Sequence, residues 1–429
     1  MKKFILLIPI FLYSETFEDI IKKINSSPAI KSAVYLQKSA ANLYKSQKGR
    51  NLPSIDASIN ALRLKDTPVI YFHSKFMPAS KFQVGKKSKF QGEIALKYPI
   101  FSGFAIEALI NKAKWQKEEA DLKVKDLKRN LYLKAAALFS SAISLNYSLK
   151  ALKEAKKAIN EAYKKAKGLY ENGLIPPSYL YNIKAQTYDI EAKIIEAKSQ
   201  KEELLNYLSY LTDSKIASLE FKQNDIKLPK RETLIKKALK QREDIKALKK
   251  ALEIDKEEIK LAKSSLYPKV ALIGALKREG DSLRLNGDGY TNPDKSYIGA
   301  SISLNLFNGF SDKYKIEAAR MKKLSKEEFL KDYENQVKTN IKNAYLKLSS
   351  LKAKLKSQKA KVKAKEEYYK LTKGRFENKL ASADELSRAI ASLAKAKAKE
   401  GSLKAAIFKE KIEILLLKSS DIKLSNHNF

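Results

Sequence analysis

One half of this chain restates the other, in the same order and with the same punctuation. Phe101-Ser102-Gly103-Phe104 returns as Phe307-Asn308-Gly309-Phe310. Gly168, Glu171, Asn172, Leu174, Leu180 and Ala185 return as Gly374, Glu377, Asn378, Leu380, Leu386 and Ala391. All of these pairs stand 206 positions apart, as Phe101 and Phe307 do. Earlier in each half the separation is 215: Ile20, Ile30, Lys48 and Pro53 match Ile235, Ile245, Lys263 and Pro268. The halves therefore differ by 9 residues, placed between Pro53 and Phe101. A repeat of about half a chain is far longer than a solenoid unit, so the fold must contain one architecture twice.

Hydrophobic periodicity reads the same way in each copy: helix, two strands, very long helix, tight break, long helix. Residues 16–48 keep an apolar spacing near 3.6, the helical period, and Pro53 stops it. The period then falls to two. Ile55, Ala57, Ile59 and Ala61 alternate with Ser54, Asp56, Ser58 and Asn60, as in a strand with unlike faces. After a loop holding Pro68, Pro78 and Gly85, Ile94, Leu96, Tyr98 and Ile100 alternate with Glu93, Ala95, Lys97 and Pro99. In the second copy Pro268 opens a strand around 270–277, and Ile298, Ala300, Ile302, Leu304 and Leu306 alternate with Gly299, Ser301, Ser303 and Asn305. Hairpins are expected at about 54–101 and 269–307.

Strands of about ten residues with one apolar and one polar face suit a membrane barrel, lipid outside and water within. Ile94, Leu96, Ile302 and Leu304 are then expected to face lipid, and Glu93, Lys97, Ser301 and Asn305 water. Two hairpins are too few to close a barrel, and open strand edges are not tolerated in lipid. The sequence therefore demands a homo-oligomer.

The helix after Gly103 runs unbroken from Ala105 to Tyr170. Its Val124, Leu127, Leu131, Leu138, Leu145, Leu152 and Leu169 fall on a ladder of alternating threes and fours, the 3.5-residue period of coiled-coil packing. At 1.5 Å per residue such a helix reaches about 100 Å. It breaks at 172–177, where Asn172-Gly173-Leu174-Ile175-Pro176-Pro177 stops one helix and starts the next. The second copy breaks at 378–382. The first repeat is read as 15–213 and the second as 231–420. A connector at 214–230 lies between them, and with the tail at 421–429 it is expected to form a collar midway along the helices.

Composition excludes more than it assigns. Lys2-Lys3 followed by apolar Phe4 to Leu12 and a small residue at Ser14 reads as an export signal over residues 1–14. Beyond it no stretch approaches the ~18 apolar residues of a membrane helix. The formal net charge of +38 is spread at helical surface spacing, which fits solvated helix faces rather than a nucleic-acid patch. With no cysteine and only His73 and His427, no thiolate site, metal cage or catalytic triad is available. Gly287-Asp288-Gly289 lacks the spacing and the Lys of a phosphate loop. The expectation is a protein that is not an enzyme and needs no cofactor or metal. Two places remain as sites: the helix breaks, and Asp384-Glu385 just past the second break.

With these residues in view the chain resembles the outer-membrane efflux proteins of the TolC type. The likeness rests on the duplication, on Leu52-Pro53 and Tyr267-Pro268 opening the hairpins, and on the aromatic-x-Gly-Phe exits at Phe101 and Phe307. It rests also on the tips at 172–174 and 378–380. The resemblance implies an internally duplicated α+β membrane protein. Three chains would give four strands each to one 12-stranded β-barrel, continued by a long periplasmic α-helical barrel. It implies an outer-membrane location reaching into the periplasm. It also implies the role of exit duct in a tripartite efflux or type I secretion system, with a periplasmic adaptor and an inner-membrane transporter of RND, ABC or MFS type as partners. Adaptor contact maps onto Gly173, Leu174, Lys379 and Leu380, with Lys379 standing where glycine is usual. The channel entrance maps onto Asp384, Glu385 and Arg388, with Arg388 where the family often has a second carboxylate. Tyr179 stands where an Asp is often found near the first tip. The alternative of another class is a periplasmic adaptor, which also has long helical hairpins but lacks duplicated amphipathic strands.

Overall fold

The computed structural model describes residues 14–222 and 226–421. The export signal read at 1–14 lies outside them apart from Ser14, and so does the tail beyond Asp421. The chain forms two compact units, and each draws on both repeats.

The first unit comprises residues 37–120 and 248–329. It holds every strand among the described residues: β1 (Ser54–Arg63), β2 (Val69–Ser74), β3 (Met77–Gln83), β4 (Ser88–Phe101), β5 (Lys269–Gly280) and β6 (Tyr297–Ser303). Parts of four helices share it: the end of α2 (Pro28–Gly49), the start of α3 (Ala105–Glu171), the end of α6 (Glu243–Lys263) and the start of α7 (Ser311–Glu377). Four strands form one antiparallel sheet in the order β1-β4-β5-β6. The two expected hairpins are thus β1–β4 and β5–β6, joined edge to edge through β4 and β5.

The stretch read as one helix over 16–48 is two, α1 (Phe17–Ile24) and α2, broken before Pro28, and two details of the strands also depart from the sequence reading. β2 and β3 make a separate hairpin inside the stretch read as loop. Pro68 and Pro78 read as breakers, yet Pro is tolerated on edge strands, and both strands of a two-stranded ribbon are edges. β6 stops at Ser303, so Leu304, expected within the strand, lies just beyond it. The cause is in its partner: Ser303 pairs with Lys269, and Pro268 before it has no N–H with which to extend the ladder.

The second unit is helical and comprises the described residues of 14–36, 121–247 and 330–421. It contains α1 (Phe17–Ile24), α4 (Pro177–Thr212), α5 (Arg231–Gln241) and α8 (Ala383–Leu416), with the remaining parts of α2, α3, α6 and α7. One core gathers Phe17, Ile20, Phe139, Ile143, Leu208 and Ile412. The connector joins it through buried Ile216 and Leu219 and a parallel bridge from Glu15 to Leu219. A second core, of Ile159, Ala166, Ile183, Phe376, Leu386 and Ile390, holds the tip ends of α3, α4, α7 and α8 together. A third packs Leu234, Ala238 and Ile245 on Val337, Ile341 and Ile414.

Candidate functional site

Antiparallel partners in register share a face of the sheet. Ile55 pairs with Leu96 and Ala57 with Ile94, Ile94 with Leu276 and Tyr98 with Leu272, and Val270 with Ile302 and Leu272 with Ala300. One face is therefore apolar across all four strands. It is also exposed: Ile59 at 73%, Leu276 at 69%, Ile298 at 90% and Ile302 at 73%. Ile94, Leu96 and Ile302 lie on this face, and Leu304, past the strand, is exposed as well. The opposite face carries Asp56, Glu93, Lys97 and Ser301, with Glu279 held by Lys277 at 3.4 Å and Lys89 at 3.6 Å. A contiguous apolar patch of this extent marks an interaction surface. Among the described residues no helix is long and apolar enough to cross a membrane.

The repeated exits from the hairpins are one conformation used twice. Gly103 and Phe104 have φ of 64° and 68°, and Gly309 and Phe310 have 68° and 63°. Two successive left-handed residues reverse the chain, and in each copy the outer aromatics meet edge to face, Phe101 on Phe104 at 5.1 Å and Phe307 on Phe310 at 5.4 Å. The residue between caps the helix that follows. Ser102 Oγ accepts from Ile106 N at 3.0 Å, and Asn308 bonds Asp312.

The tips repeat as closely. Leu174 N donates to Leu169 O at 2.8 Å and Gly173 N to Tyr170 O at 2.8 Å; Leu380 N donates to Arg375 O at 2.7 Å and Lys379 N to Phe376 O at 3.1 Å. This is the Schellman arrangement, which needs a left-handed residue at its turn. Gly173 supplies it at φ 70° and Lys379 at φ 62°. Asn172 and Asn378 each donate a side-chain bond back to the glycine carbonyl four residues earlier, at 2.7 and 2.9 Å. Leu174 and Leu380 are left exposed.

Past the second tip, Ser382 caps α8 by accepting from Glu385 N at 3.1 Å. Arg388 pairs with Asp384, one turn earlier in α8. Glu385 meets Arg375 at 3.4 Å. Sequence reasoning missed Arg375, which also donates to Leu380 O at 3.0 Å. Its signal was its place: Leu169 stands there in the first copy, so that position is charged in one copy alone. Among the described residues no acidic or histidine cluster could hold a metal.

A family model, that of the outer membrane efflux proteins, matches residues 22–212 and 234–413, one stretch in each half. The chain belongs to the outer membrane efflux protein family. No curated protein matches it, but solved structures do. The outer membrane protein VceC from Vibrio cholerae is 17% identical over 94% of this chain and 96% of its own, with a TM-score of 0.78. The Campylobacter jejuni CmeC outer membrane channel is 16% identical over 94% and 85%, at 0.78. The open state of the Neisseria gonorrhoeae MtrE outer membrane channel is 16% identical over 94% and 88%, at 0.73. At these identities the likeness shows a shared fold, covering nearly the whole of each chain. Membership of the efflux family places the protein in the outer membrane, reaching into the periplasm, and gives it the role of a channel rather than an adaptor.

Proposed function

We propose that this protein is the exit duct of a tripartite efflux or type I secretion system, three copies closing one barrel of twelve strands. The observation that carries this reading is the four-stranded sheet, apolar on one exposed face, with β1 and β6 at its two edges. An open edge in lipid leaves N–H and C=O groups unpaired, at several kcal/mol each. Closure against neighbouring copies removes that cost, with the apolar face in lipid and the face bearing Glu93 and Lys97 toward water.

On this reading the exposed tips at Gly173, Leu174, Lys379 and Leu380 meet the periplasmic adaptor. Asp384, Glu385 and Arg388, with Arg375, line the periplasmic entrance. The inner-membrane partner is a transporter of RND, ABC or MFS type. The duct conducts passively, and no residue in it is assigned a catalytic role.

The test is the mass of cross-linked, detergent-extracted protein, together with single cysteines placed in a chain that has none. A trimer is expected. Cysteine at Ser301 should react with a membrane-impermeant maleimide, and cysteine at Ile94 or Ile302 should be protected in vesicles. A stable soluble monomer, or equal labelling of both sets, would overturn the reading.

A further inference from the structure

The first copy of the repeat is longer than the second between its strands. Phe101 lies 48 positions after Pro53, and Phe307 lies 39 after Pro268, a difference of 9. β1 and β4 join the helices at Ser54 and Phe101, so the connection from Arg63 to Ser88 hangs from their far end. It folds as the β2–β3 ribbon, whose strands pair only with each other. Val84 N donates to Pro68 O at 2.9 Å and closes its base. The β5–β6 connection has no such ribbon. It turns back along β5 instead, Glu279 N donating to Pro293 O at 2.9 Å and Lys295 N to Lys277 O at 2.8 Å.

Register puts Ile70 opposite Phe82, and Phe72, two residues along, shares their face. All three are exposed, and Phe76 at the turn is 94% exposed. Around them stand Arg63, Lys65, Lys75, Lys81, Lys86 and Lys87, exposed as well, with Asp66 the one acid in residues 63–87. None of these six has an ion-pair partner among the described residues; Lys81 lies 5.7 Å from the Tyr71 ring. The β5–β6 connection has the opposite balance. Residues 281–296 carry Asp281, Asp288 and Asp294 against Arg284 and Lys295. Asp288 and Asp294 accept from N–H groups of their own loop, Tyr290 and Thr291 at 3.0 Å and Ser296 at 2.9 Å. One loop thus satisfies its own charges, and the ribbon leaves its charges open.

We propose that the ribbon is a lipid anchor: Phe72, Phe76 and Phe82 enter the outer leaflet beside the channel, and the lysines bind anionic phosphates of the lipid headgroups. A two-stranded ribbon is marginal in water by itself, and exposed apolar surface of this kind marks a contact. The charges select the occupant. Protein interfaces are enriched in aromatic residues but depleted of Lys. Aromatic rings beside unpaired Lys belong instead to the boundary between membrane and water, where basic residues are drawn to anionic lipid. The ribbon of a neighbouring copy fits less well, because it would set like charges face to face. The inference rests on the channel proposed above, which puts this end of the sheet outside the cell, and adds to it a ligand class and the residues that hold it.

The full-length protein, extracted in detergent and returned to vesicles, tests it. Met77→Cys supplies a single thiol at the turn, and a dye attached there is quenched by a lipid spin-labelled at its headgroup only if the turn reaches the membrane. Quenching is expected in vesicles containing lipid A, whose phosphates are anionic. It should fall in phosphatidylcholine alone, whose phosphate is neutralised by choline, and free inorganic phosphate should not restore it. Lys75→Gln and Lys81→Gln should each lower the ratio of quenched to unquenched dye about fivefold, the effect of one cation near an anionic surface. Cross-linked mass and conductance show whether each variant still forms the channel. A trimeric, conducting protein whose dye stays unquenched in lipid A vesicles, or is quenched equally in phosphatidylcholine, overturns the anchor and leaves the channel standing. Shielding from aqueous iodide without lipid quenching would assign the ribbon to a protein contact and overturn the anchor too. A protein that forms no trimer overturns both readings.

Discussion

At the scale of single residues, the chain's left-handed positions carry most of its repeated design. Gly173 and Lys379 occupy the same turn with φ of 70° and 62°, but only glycine does so without crowding its own Cβ, a cost of roughly 1–2 kcal/mol. Lys379→Gly should therefore raise stability by about 0.5–1 kcal/mol once the extra freedom of glycine in the unfolded chain is offset, read as a shift in thermal melting. Gly173→Lys should lower it. A second residue-scale device is the carboxylate of Asp244. Arg242 reaches it at 2.8 Å, Arg129 at 2.9 Å and the Tyr333 hydroxyl at 2.7 Å, with both arginines buried. Burial pushes this carboxyl up, but the bonds and charge of Arg242, backed by Tyr333 and Arg129, outweigh it and hold the group below the ordinary carboxylate value. A lowered folded value contributes stability above the unfolded one, near 3.9, and that stability is lost as pH falls through the folded value. The melting difference between wild type and Asp244→Asn should thus shrink below about pH 4. Asp244→Ala, which strands the buried Arg242 guanidinium and leaves Arg129 with Asp126 alone, should cost about 3–5 kcal/mol near neutral pH.

At the scale of elements, identical local rules give opposite results in different packing. Gly374 in α7 has open space around it, whereas a Cβ at Gly401 in α8 would stand 2.2 Å from Cβ and Cγ of Tyr147 on α3. Helix propensity alone favours alanine at both by about 1 kcal/mol. Gly374→Ala should stabilise by up to that amount. Gly401→Ala should destabilise, because overpacking at about 1–3 kcal/mol exceeds the gain. Thermal melts of the two variants and the wild type check the ordering. The sequence could not separate these glycines, since α8 meets α3 only through the fold. The strands were legible for the converse reason. Alternation in Ile55 to Ala61, Ile94 to Tyr98 and Ile298 to Ile302 is a local signal, and the register later places those residues on one face. The β2–β3 hairpin was not legible, because Pro68 and Pro78 give the same local signal in a loop and on an edge strand.

At the scale of the whole molecule, the proposed entrance predicts an effect of its charges on conduction. Asp384 is paired with Arg388 and Glu385 with Arg375, so each chain presents two acids balanced by two bases there. Exposed pairs of this kind contribute roughly 0–1 kcal/mol and do not lock a gate by themselves. In the proposed trimer they would set the field at the mouth where three copies converge. In planar bilayers Arg388→Ala should increase cation preference and Glu385→Gln should decrease it. Both effects should fade in high salt, as screening shortens below ~10 Å above 0.1 M. Unchanged selectivity in both variants would move the entrance away from α8.

By itself the sequence determined the duplication, the amphipathic strands of the four-stranded sheet, the long helices and the tips. Each of these is written in short-range periodicity or in a turn residue whose backbone angle is demanded locally. Only the tertiary structure decided that the hairpins join through β4 and β5. Only it showed that Gly401 of α8 lies against Tyr147 of α3. Those outcomes depend on which surfaces meet across a hundred or more residues of chain, and a contact at that distance leaves no period in the sequence.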